Sequence, residues 1–384
     1  MIKMNTLQKI KILGESAKYD TCASSASNRK VKGDDRIGNA AGCGICHSFT
    51  EDGQCISLWK TLYSNACSFD CKYCANASGC NKNPARFEPE EFAKTFMSLY
   101  VRNYVEGLFI SSGVEKDPDT TTERMIEAVN LIRNKYKFQG YIHFKVLPGT
   151  SYDLIKHCSE FADRMSINLE APNKSRMAEI SSVKDYKIDI LRRQAWLKRM
   201  KLHSGQTTQL VVGGAGESDM EILKMIDWEY KNLNLKRGYY SAFIPVPKTP
   251  LEDKKRIQLS REHHLYNVDF MLRKYNIPFK EFKEIMYKGM LPKVDPKIAL
   301  ARNYFDSGVD LNEVKWDDLI RVPGIGPLSA HRILELQKNN VKIDKKIQLK
   351  NMGVVLKRAL PFIKLDGKRQ KMLWEFNKDE YAAV

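Results

Sequence analysis

Three cysteines lie on one short stretch of the sequence, at a spacing that suits an iron–sulfur cluster. They are Cys67, Cys71 and Cys74, in the pattern CxxxCxxC. Three thiolates from one loop can bind three irons of a 4Fe–4S cubane, which leaves the fourth iron open to a substrate or cofactor. A structural zinc site is the alternative, although it needs four ligands, usually in two separated pairs. We therefore predict a cluster with one open iron at this loop.

Other cysteines precede this loop. Of the nine cysteines in the chain, eight fall before residue 81. Such crowding favours metal chemistry, because disulfides are rare in a reducing cytoplasm. We expect a second metal or cluster, or a redox pair, among Cys22, Cys43, Cys46 and Cys55. The alternative is that these cysteines pack as small buried side chains near the first cluster.

A second chemical signal lies near the C-terminus, where residues 322–327 read Val-Pro-Gly-Ile-Gly-Pro between two predicted helices, 310–321 and 328–337. Two glycines allow a tight turn with exposed amides. The second helix then offers free N–H groups and a positive dipole end to a phosphate. Such contacts hold a nucleic-acid backbone without reading its sequence. The expected DNA-binding residues are Gly324, Ile325, Gly326, Ser329 and Arg332. A plain helical turn is the alternative.

The charge of the chain supports a polyanionic partner. The formal net charge is +17, and residues 327–372 hold twelve Lys and Arg side chains against three Asp and Glu. A solvated surface usually mixes the two signs, so this excess predicts a face that binds a nucleic-acid backbone. A generally basic, solvated surface is the alternative interpretation of the net charge.

The elements that must position the cysteine loop alternate between strand and helix. Strands are predicted at 56–63, 107–111, 141–146, 164–169, 209–212 and 239–244, with helices such as 89–104 and 121–136 between them. Repeated strand–helix units predict an α/β fold with a parallel sheet and outer helices. Six units make a partial or complete (β/α) barrel, whose active site lies at the carboxyl ends of the strands.

Composition divides the chain into three predicted domains. Residues 18–49 are rich in Ser, Gly, Asn, Lys and Arg with little periodicity, so we expect a loop-rich, cysteine-containing extension over 1–54. The barrel follows over 55–290. A break at 291–296 and a purely helical pattern beyond it predict a small all-α domain over 291–384. Its two helices joined by the Pro-Gly-Ile-Gly turn resemble the helix–hairpin–helix motif of DNA repair proteins, so we expect a helix–hairpin–helix domain there.

Membrane and export signals are not apparent in the sequence. No stretch approaches the roughly 20 apolar residues of a membrane span. The first 14 residues contain lysines but no apolar run before a cleavage site. We therefore expect a cytoplasmic protein.

The CxxxCxxC loop follows a predicted first strand and has Tyr73 before its third cysteine. This arrangement resembles the radical S-adenosylmethionine (radical SAM) superfamily. The resemblance implies that S-adenosylmethionine chelates the open iron through its amino and carboxylate groups. One electron from the reduced cluster then gives methionine and a 5′-deoxyadenosyl radical, which removes a hydrogen atom from substrate. The protein orients this chemistry and excludes competing reactions.

The same resemblance implies where the cofactor binds. Ser111, Ser112 and Gly113 stand where the superfamily often has a Gly-Gly-Glu segment that holds the methionyl amine, although the glutamate is absent here. Further cofactor contacts are expected from the ends of later strands and from the cysteine loop. These residues are Tyr73, Asn168, Glu170, Gly213 and Gly214. For the two glycines, a simple turn is an equal alternative.

With both motifs in hand, nearly the whole chain resembles a bacterial family of DNA modification/repair radical SAM proteins. The segments that carry the resemblance are 17–20, 44–53, 106–113 and 239–245. It implies a DNA substrate and a uracil-DNA-glycosylase-like partner, and the chemistry implies an electron donor such as flavodoxin or ferredoxin. Two alternatives remain: a radical enzyme that modifies RNA, and a non-catalytic iron–sulfur redox sensor that binds DNA.

Overall fold

A seven-stranded sheet forms the centre of the first two thirds of the chain. The computed structural model describes residues 4–17, 45–49, 55–80, 83–305, 307–365 and 367–369. The sheet order is β1-β2-β3-β4-β5-β6-β7. Its strands are β1 (Ile45–Phe49), β2 (Cys55–Leu62), β3 (Gly107–Ser111), β4 (Ile142–Lys145), β5 (Arg164–Ser166), β6 (Gln206–Val212) and β7 (Leu235–Ala242).

Helices connect these strands and continue beyond them. In the first part of the chain they are α1 (Thr6–Ala17), α2 (Pro89–Val101), α3 (Pro118–Asn130), α4 (Tyr152–Ser159), α5 (Lys174–Ile180), α6 (Arg192–Arg199) and α7 (Asp219–Leu233). Two π-helical segments, Leu131–Lys135 and Tyr186–Leu191, extend α3 and precede α6. Later helices are α8 (Leu259–Lys274), α9 (Phe279–Glu284), α10 (Pro296–Tyr304), α11 (Trp316–Arg321), α12 (Pro327–Lys338), α13 (Lys346–Asn351) and α14 (Leu356–Ala359).

Strands β2 to β7 are parallel, and each pairs with the next strand in sequence. A parallel sheet needs crossover connections, and the helices supply them while covering the outer face. Strand β3 is buried along its whole length, as the apolar run predicts. Within the described residues, β1 and β7 are the sheet edges. The α/β prediction of a radical SAM-type partial barrel is therefore confirmed.

The strand register places the carboxyl ends of the parallel strands side by side, along what we call the carboxyl edge of the sheet. Leu62 at the end of β2 pairs with Ser111 at the end of β3, and Lys145 on β4 pairs with Ser166 on β5. Parallel strands that end level with one another place their following loops side by side. The segments after β2, β3 and β5 therefore meet at this edge.

The structure also contains elements that the sequence patterns did not indicate. Helix α1 and strand β1 lie in the stretch expected to be an irregular extension. Strand β1 pairs antiparallel with β2, so it forms a hairpin at the sheet edge. The expected strand over 164–169 ends at Ser166, and pairing resumes only as a single bridge between Glu170 and Leu210. Between these points the Thr208 hydroxyl replaces the backbone ladder, because it accepts from the Leu169 N–H, at 2.9 Å, and donates to the carbonyl of Ile167, at 2.8 Å.

Contacts divide the chain into two compact units, Met1–Glu262 and His263–Val384. This division falls inside α8, before the boundary expected at residue 290, which stays a prediction. The second unit contains helices as expected. It also has a small sheet of three strands, β8 (Val309–Asp310), β9 (Ile363–Leu365) and β10 (Lys368–Arg369). Its core includes five apolar residues of the hairpin helices and the turn between them, Leu319, Val322, Ile325, Ala330 and Ile333.

Candidate functional site

A cavity lies at the carboxyl edge of the parallel sheet, and the cysteine loop forms one of its walls. It holds about 880 Å³ of empty space, part of which is open to solvent. Most of the residues predicted for the cluster and cofactor line it. They are Cys67, Cys71, Tyr73, Cys74, Ser111, Ser112, Gly113, Asn168 and Glu170. The structure therefore brings together residues from three separate segments of the sequence.

Backbone hydrogen bonds hold the cysteine loop to two neighbouring segments. Ser68 donates its N–H to the carbonyl of Val114, at 2.7 Å, in the segment after β3. Lys72 donates its N–H to the carbonyl of Ile180, at 2.9 Å, at the end of α5. The two ends of the loop are thus fixed from opposite sides, which presents the thiols to the cavity.

Asp70 gives the loop a third attachment. Its carboxylate accepts hydrogen bonds from the Ser181 hydroxyl, at 2.7 Å, and from the Ser182 N–H, at 2.8 Å. The Ser182 hydroxyl donates to it as well. Burial opposes ionisation, but the bonds from Ser182 and Ser181 outweigh it and lower the pKa of Asp70 to about 2. Asp70 is therefore an ionised anchor at neutral pH.

Two thiols of this loop, those of Cys71 and Cys74, ionise poorly without a metal cation. Burial raises the pKa of Cys71, although Lys184 opposes the shift. Burial, followed by the charge of Cys71, raises the pKa of Cys74 to about 12. A bound metal centre reverses this balance, because a coordinating thiol is deprotonated outright. The loop is thus built to hold thiolates only when a cation compensates them.

The donor set fits a cubane cluster. Cys67, Cys71 and Cys74 are free thiols around one cavity. In the part of the chain that the structure describes, no three His, Cys, Asp or Glu side chains converge on a point where one ion could bind. A cubane binds each cysteine through a different iron, whereas zinc requires four donors at one centre. The residues present therefore suit a 4Fe–4S cluster better than a zinc ion.

Lys184 and Glu170 form a buried pair beside the cysteines. The Lys184 Nζ lies 3.8 Å from a Glu170 carboxylate oxygen, and both side chains are less than a tenth exposed. Burial lowers the pKa of Lys184, but Cys71 and Glu170 outweigh it and the net shift is upward. Burial also raises the pKa of Tyr73, whose hydroxyl donates to Glu170. Glu170 thus orders both the lysine and the tyrosine at the cavity wall.

The Ser111–Ser112–Gly113 segment packs directly on the cysteine loop. Gly113 donates its N–H to the carbonyl of Ser64, at 2.7 Å. A Cβ at position 113 would lie 2.5 Å from the carbonyl oxygen of Ala66 and 3.1 Å from the Cβ of Cys67. Only glycine permits this approach. This close packing leaves no room for a glutamate side chain at position 113.

Several site residues lie outside the motifs found by sequence reasoning. Lys184 follows α5 in a polar stretch with no strand-end signal, and Gln209 points into the cavity from within β6. Conversely, Gly213 and Gly214 do not line the cavity. Their turn is closed by the Glu217 carboxylate, which accepts from the Gly213 N–H. Their expected cofactor contact stays a prediction.

The four cysteines suggested for a second metal are only partly described. Cys22 and Cys43 lie outside the described residues. Cys46 is buried on β1 against Leu58 and Phe109. The strand partner of Cys46 is Leu58. Leu58 lies three residues along β2 from Cys55, a distance of about 10 Å between these two positions. Cys46 therefore sits in an apolar cluster, and the second metal stays a prediction.

The C-terminal turn has the geometry of a tight hairpin. Gly324 has a φ of 84°, and a Cβ there would lie 2.5 Å from the carbonyl oxygen of Val355. Gly326 differs, with a φ of −108° as the N-cap residue of α12. Ser329 and Arg332 both donate to the Met352 carbonyl, at 3.0 and 3.2 Å. These two residues therefore also fasten the turn to the next hairpin.

A second hairpin lies beside the first. Helices α13 and α14 flank a turn at Gly353, whose φ is 83°. The N–H of Val355 donates to the carbonyl of Gly324, at 2.9 Å, so the two turns are hydrogen-bonded. The amine of Lys297 donates to the carbonyl of Ile325, at 2.6 Å, and so stabilises the first turn. The result is a double hairpin with its turns on one surface.

Two regions of the chain, the one with the cysteine loop and the one with the C-terminal turn, are similar to known families. Residues 61–228 match the family model of the Radical SAM superfamily, and residues 305–360 match that of the helix-hairpin-helix motif. Biotin synthase from Persephonella marina is 25% identical over 207 residues, which cover 52% of this chain and 57% of that protein. The chain thus spans little more than half the length of this curated relative.

Solved structures show similarity at low sequence identity. HydG, a maturase of the FeFe-hydrogenase, is 10% identical with a TM-score of 0.46, covering 76% of this chain and 79% of that chain. Methylornithine synthase (PylB) is 15% identical with a TM-score of 0.44, covering 53% and 59%. Among the described residues, no helix has the length and apolar character needed to cross a bilayer. By sequence, residues 61–228 are similar to the Radical SAM superfamily, and residues 305–360 are similar to the helix-hairpin-helix motif.

Proposed function

We propose that the protein is a radical SAM enzyme that acts on DNA, in repair or in modification. The observation that carries the proposal is the convergence of Cys67, Cys71 and Cys74 on one cavity that Asn168 and Glu170 also line. The helix-hairpin-helix motif supports a nucleic-acid substrate, since it offers amides to phosphates. The free thiols and proposed cluster fit a reducing compartment, so we place this activity in the cytoplasm.

The cysteine loop would hold a 4Fe–4S cluster, and the open iron would face the cavity. When bound, the cluster and S-adenosylmethionine supply a one-electron carbon–sulfur cleavage that yields methionine and a 5′-deoxyadenosyl radical. The loop is fastened at Ser68, Asp70 and Lys72, so the thiols stay fixed while charge changes. A preorganised site avoids reorganisation at the moment of reaction.

The other cavity residues would orient the cofactor. Ser111, Ser112 and Gly113 bring backbone and hydroxyl groups next to Cys67. Asn168 and Glu170 offer an amide and a carboxylate from the segment after β5, the groups that bind hydroxyls and amines. Lys184 neutralises Glu170 in this structure, and it lies within reach of an anionic group in the cavity. These residues bind and position; none is assigned a proton-transfer step.

The cavity walls also limit side reactions. Leu62, Phe69, Val114, Val146 and Leu147 line it with apolar surface. A radical in such a pocket is kept from water and from competing donors. The apolar lining therefore favours hydrogen abstraction from a docked substrate.

Two partners belong to the proposal on the basis of family resemblance and chemistry. An electron donor, flavodoxin or ferredoxin, would reduce the cluster. A uracil-DNA-glycosylase-like protein would act with the enzyme on DNA. Pull-down of each candidate with the reconstituted holoenzyme tests both interactions.

Mass spectrometry of nucleosides tests the substrate. DNA and RNA are incubated separately with anaerobically reconstituted, reduced enzyme and S-adenosylmethionine, then digested to nucleosides. We expect a new or converted nucleoside from DNA that the Cys67/Cys71/Cys74→Ala variant does not produce. A product from RNA alone would transfer the activity to RNA. Cofactor binding without turnover on either substrate would favour an iron–sulfur redox sensor.

A further inference from the structure

A second cavity lies in the C-terminal unit, beside the hairpin turn. It holds about 1070 Å³ of empty space. One wall comes from the hairpins, including Gly326 and Arg358. The other comes from α8 and the residue after it, through Asn267, Phe270 and Tyr275. This second wall lies outside the matched helix-hairpin-helix segment, so backbone binding by the motif does not explain it.

The α8 wall presents aromatic surface to solvent. Phe270 is 45% exposed, although it is a large apolar side chain. Its ring stands at 80° to that of Tyr275, with the centroids 5.4 Å apart. The Tyr275 hydroxyl lies 3.8 Å from the point where a Cβ on Gly326 would sit, so the ring reaches the hairpin. An exposed aromatic face in a cavity is a stacking surface for another flat ring.

The opposite wall is cationic. Arg358 pairs with Asp295 through one nitrogen, at 2.7 Å, while its Nε is buried and has no hydrogen-bond partner among the described residues. Lys297 adds a buried amine, 4.6 Å from the centre of the Tyr275 ring. Arg332 lines the same cavity. The two arginines against one carboxylate leave a net positive wall beside the amides at the start of α12.

An aromatic wall facing a cationic wall matches the two ends of a nucleotide. A base stacks on aromatic rings without regard to sequence, and a phosphate binds arginine and helix N-terminal amides. Asn267 lies one helical turn before Phe270, so its amide sits beside the stacking face, where it can bond a base edge. A base inside an intact duplex cannot reach such a wall, because it stays stacked between its neighbours.

We propose that this cavity takes one unpaired nucleotide, with its phosphate at the hairpin and Arg358 and its base on Phe270. The C-terminal unit then prefers single-stranded or displaced nucleotides over intact duplex. This inference rests on the nucleic-acid binding in the proposed function and deepens it, since it names the form of substrate that the unit selects.

Fluorescence of 2-aminopurine tests the proposal on the full chain. Three probes are used: a single-stranded oligodeoxynucleotide with one 2-aminopurine, its matched duplex, and the 2-aminopurine deoxynucleoside 5′-monophosphate. We expect quenching on binding of the single strand, because the probe base stacks on an aromatic ring. Base stacking of about 1–3 kcal/mol predicts that Phe270→Ala lowers single-strand affinity by roughly 5- to 150-fold. Duplex affinity should change less than about twofold.

Two variants control for indirect effects. Tyr287→Ala removes a 75% exposed aromatic elsewhere in the same unit, and single-strand affinity should not change. Phe270→Tyr keeps the ring, and affinity should be restored. An equal loss of duplex and single-strand affinity in Phe270→Ala, or no loss in either, overturns the pocket while leaving the DNA function intact. If neither oligonucleotide binds but the monophosphate is quenched in a Phe270-dependent way, the pocket stands and the DNA function fails. If no probe binds, both fail.

Discussion

Replacing Gly324 by alanine is expected to destabilise the C-terminal unit. Its φ of 84° lies in the left-handed region, where a Cβ costs about 1–2 kcal/mol. The added Cβ would also lie 2.5 Å from the Val355 carbonyl oxygen, a backbone atom that cannot rotate away. Moving Val355 strains the hydrogen bond between the two turns. Together these effects predict a loss of about 2–4 kcal/mol in the free energy of unfolding.

Gly326→Ala is the matched control. Its φ of −108° suits any residue, and the nearest atom to an added Cβ is 3.8 Å away. Stability should therefore change by no more than about 0.5 kcal/mol. Affinity for duplex DNA should nevertheless fall, because the methyl group stands over the amides at the start of α12. The two glycines would thus separate folding from binding.

Hydrogen exchange of the full chain, read by mass spectrometry on peptides from α11 and α12, measures the stability of both variants. A loss of 2–4 kcal/mol corresponds to a drop in amide protection of roughly 30- to 700-fold. Peptides from the Met1–Glu262 unit serve as an internal reference. Equal protection in Gly324→Ala and wild type, or equal loss in both variants, would refute the reasoning from backbone geometry.

Three further predictions concern titration and salt. Burial raises the pKa of Glu229 to about 8, so the folded state keeps a proton that the unfolded state releases above its ordinary pKa. Unfolding free energy should therefore fall between pH 4.5 and 8, by up to about 1.4 kcal/mol per pH unit, and Glu229→Gln should remove this slope in denaturant titrations. Lys297 has the opposite sign: burial, then Arg358, lowers its pKa to about 7. Stability of the C-terminal unit should rise between pH 7 and 10.5, and hydrogen exchange of Lys297→Met should lack that rise. Duplex affinity should fall with salt at a log–log slope of about −0.9 per phosphate contact, and a flat titration would contradict backbone binding.

Local signals in the sequence were sufficient for the repeating parts of the fold. The strand predicted at 107–111 has the same bounds as β3. A short apolar run between polar residues fits a strand that is buried on both faces of a parallel sheet. The helix predicted over 89–104 begins at Pro89, where Glu88 and Glu91 form a capping box. The tight turn predicted at 322–327 separates α11 from α12.

Long-range features could not be derived in the same way. Lys184 reaches the site only because α5 folds back onto the cysteine loop, and nothing in its own segment marks it. The Ser329 hydroxyl points inward because it bonds to Met352 of the second hairpin, a segment that the sequence marks only by its excess of basic residues. Strand β1 is short and follows a polar stretch, and it is defined only by its pairing with β2. Each of these depends on a partner that is distant in sequence.

Electron paramagnetic resonance of the reduced, anaerobically reconstituted protein, with 5′-deoxyadenosine assayed in the same sample, tests the central claim most directly. We predict a 4Fe–4S signal that changes when S-adenosylmethionine is added, together with formation of 5′-deoxyadenosine. Both should disappear in the Cys67/Cys71/Cys74→Ala variant and persist in Cys80→Ala, which removes a neighbouring free cysteine that does not line the cavity. Cofactor cleavage that survives in the triple variant would contradict the assignment of these cysteines.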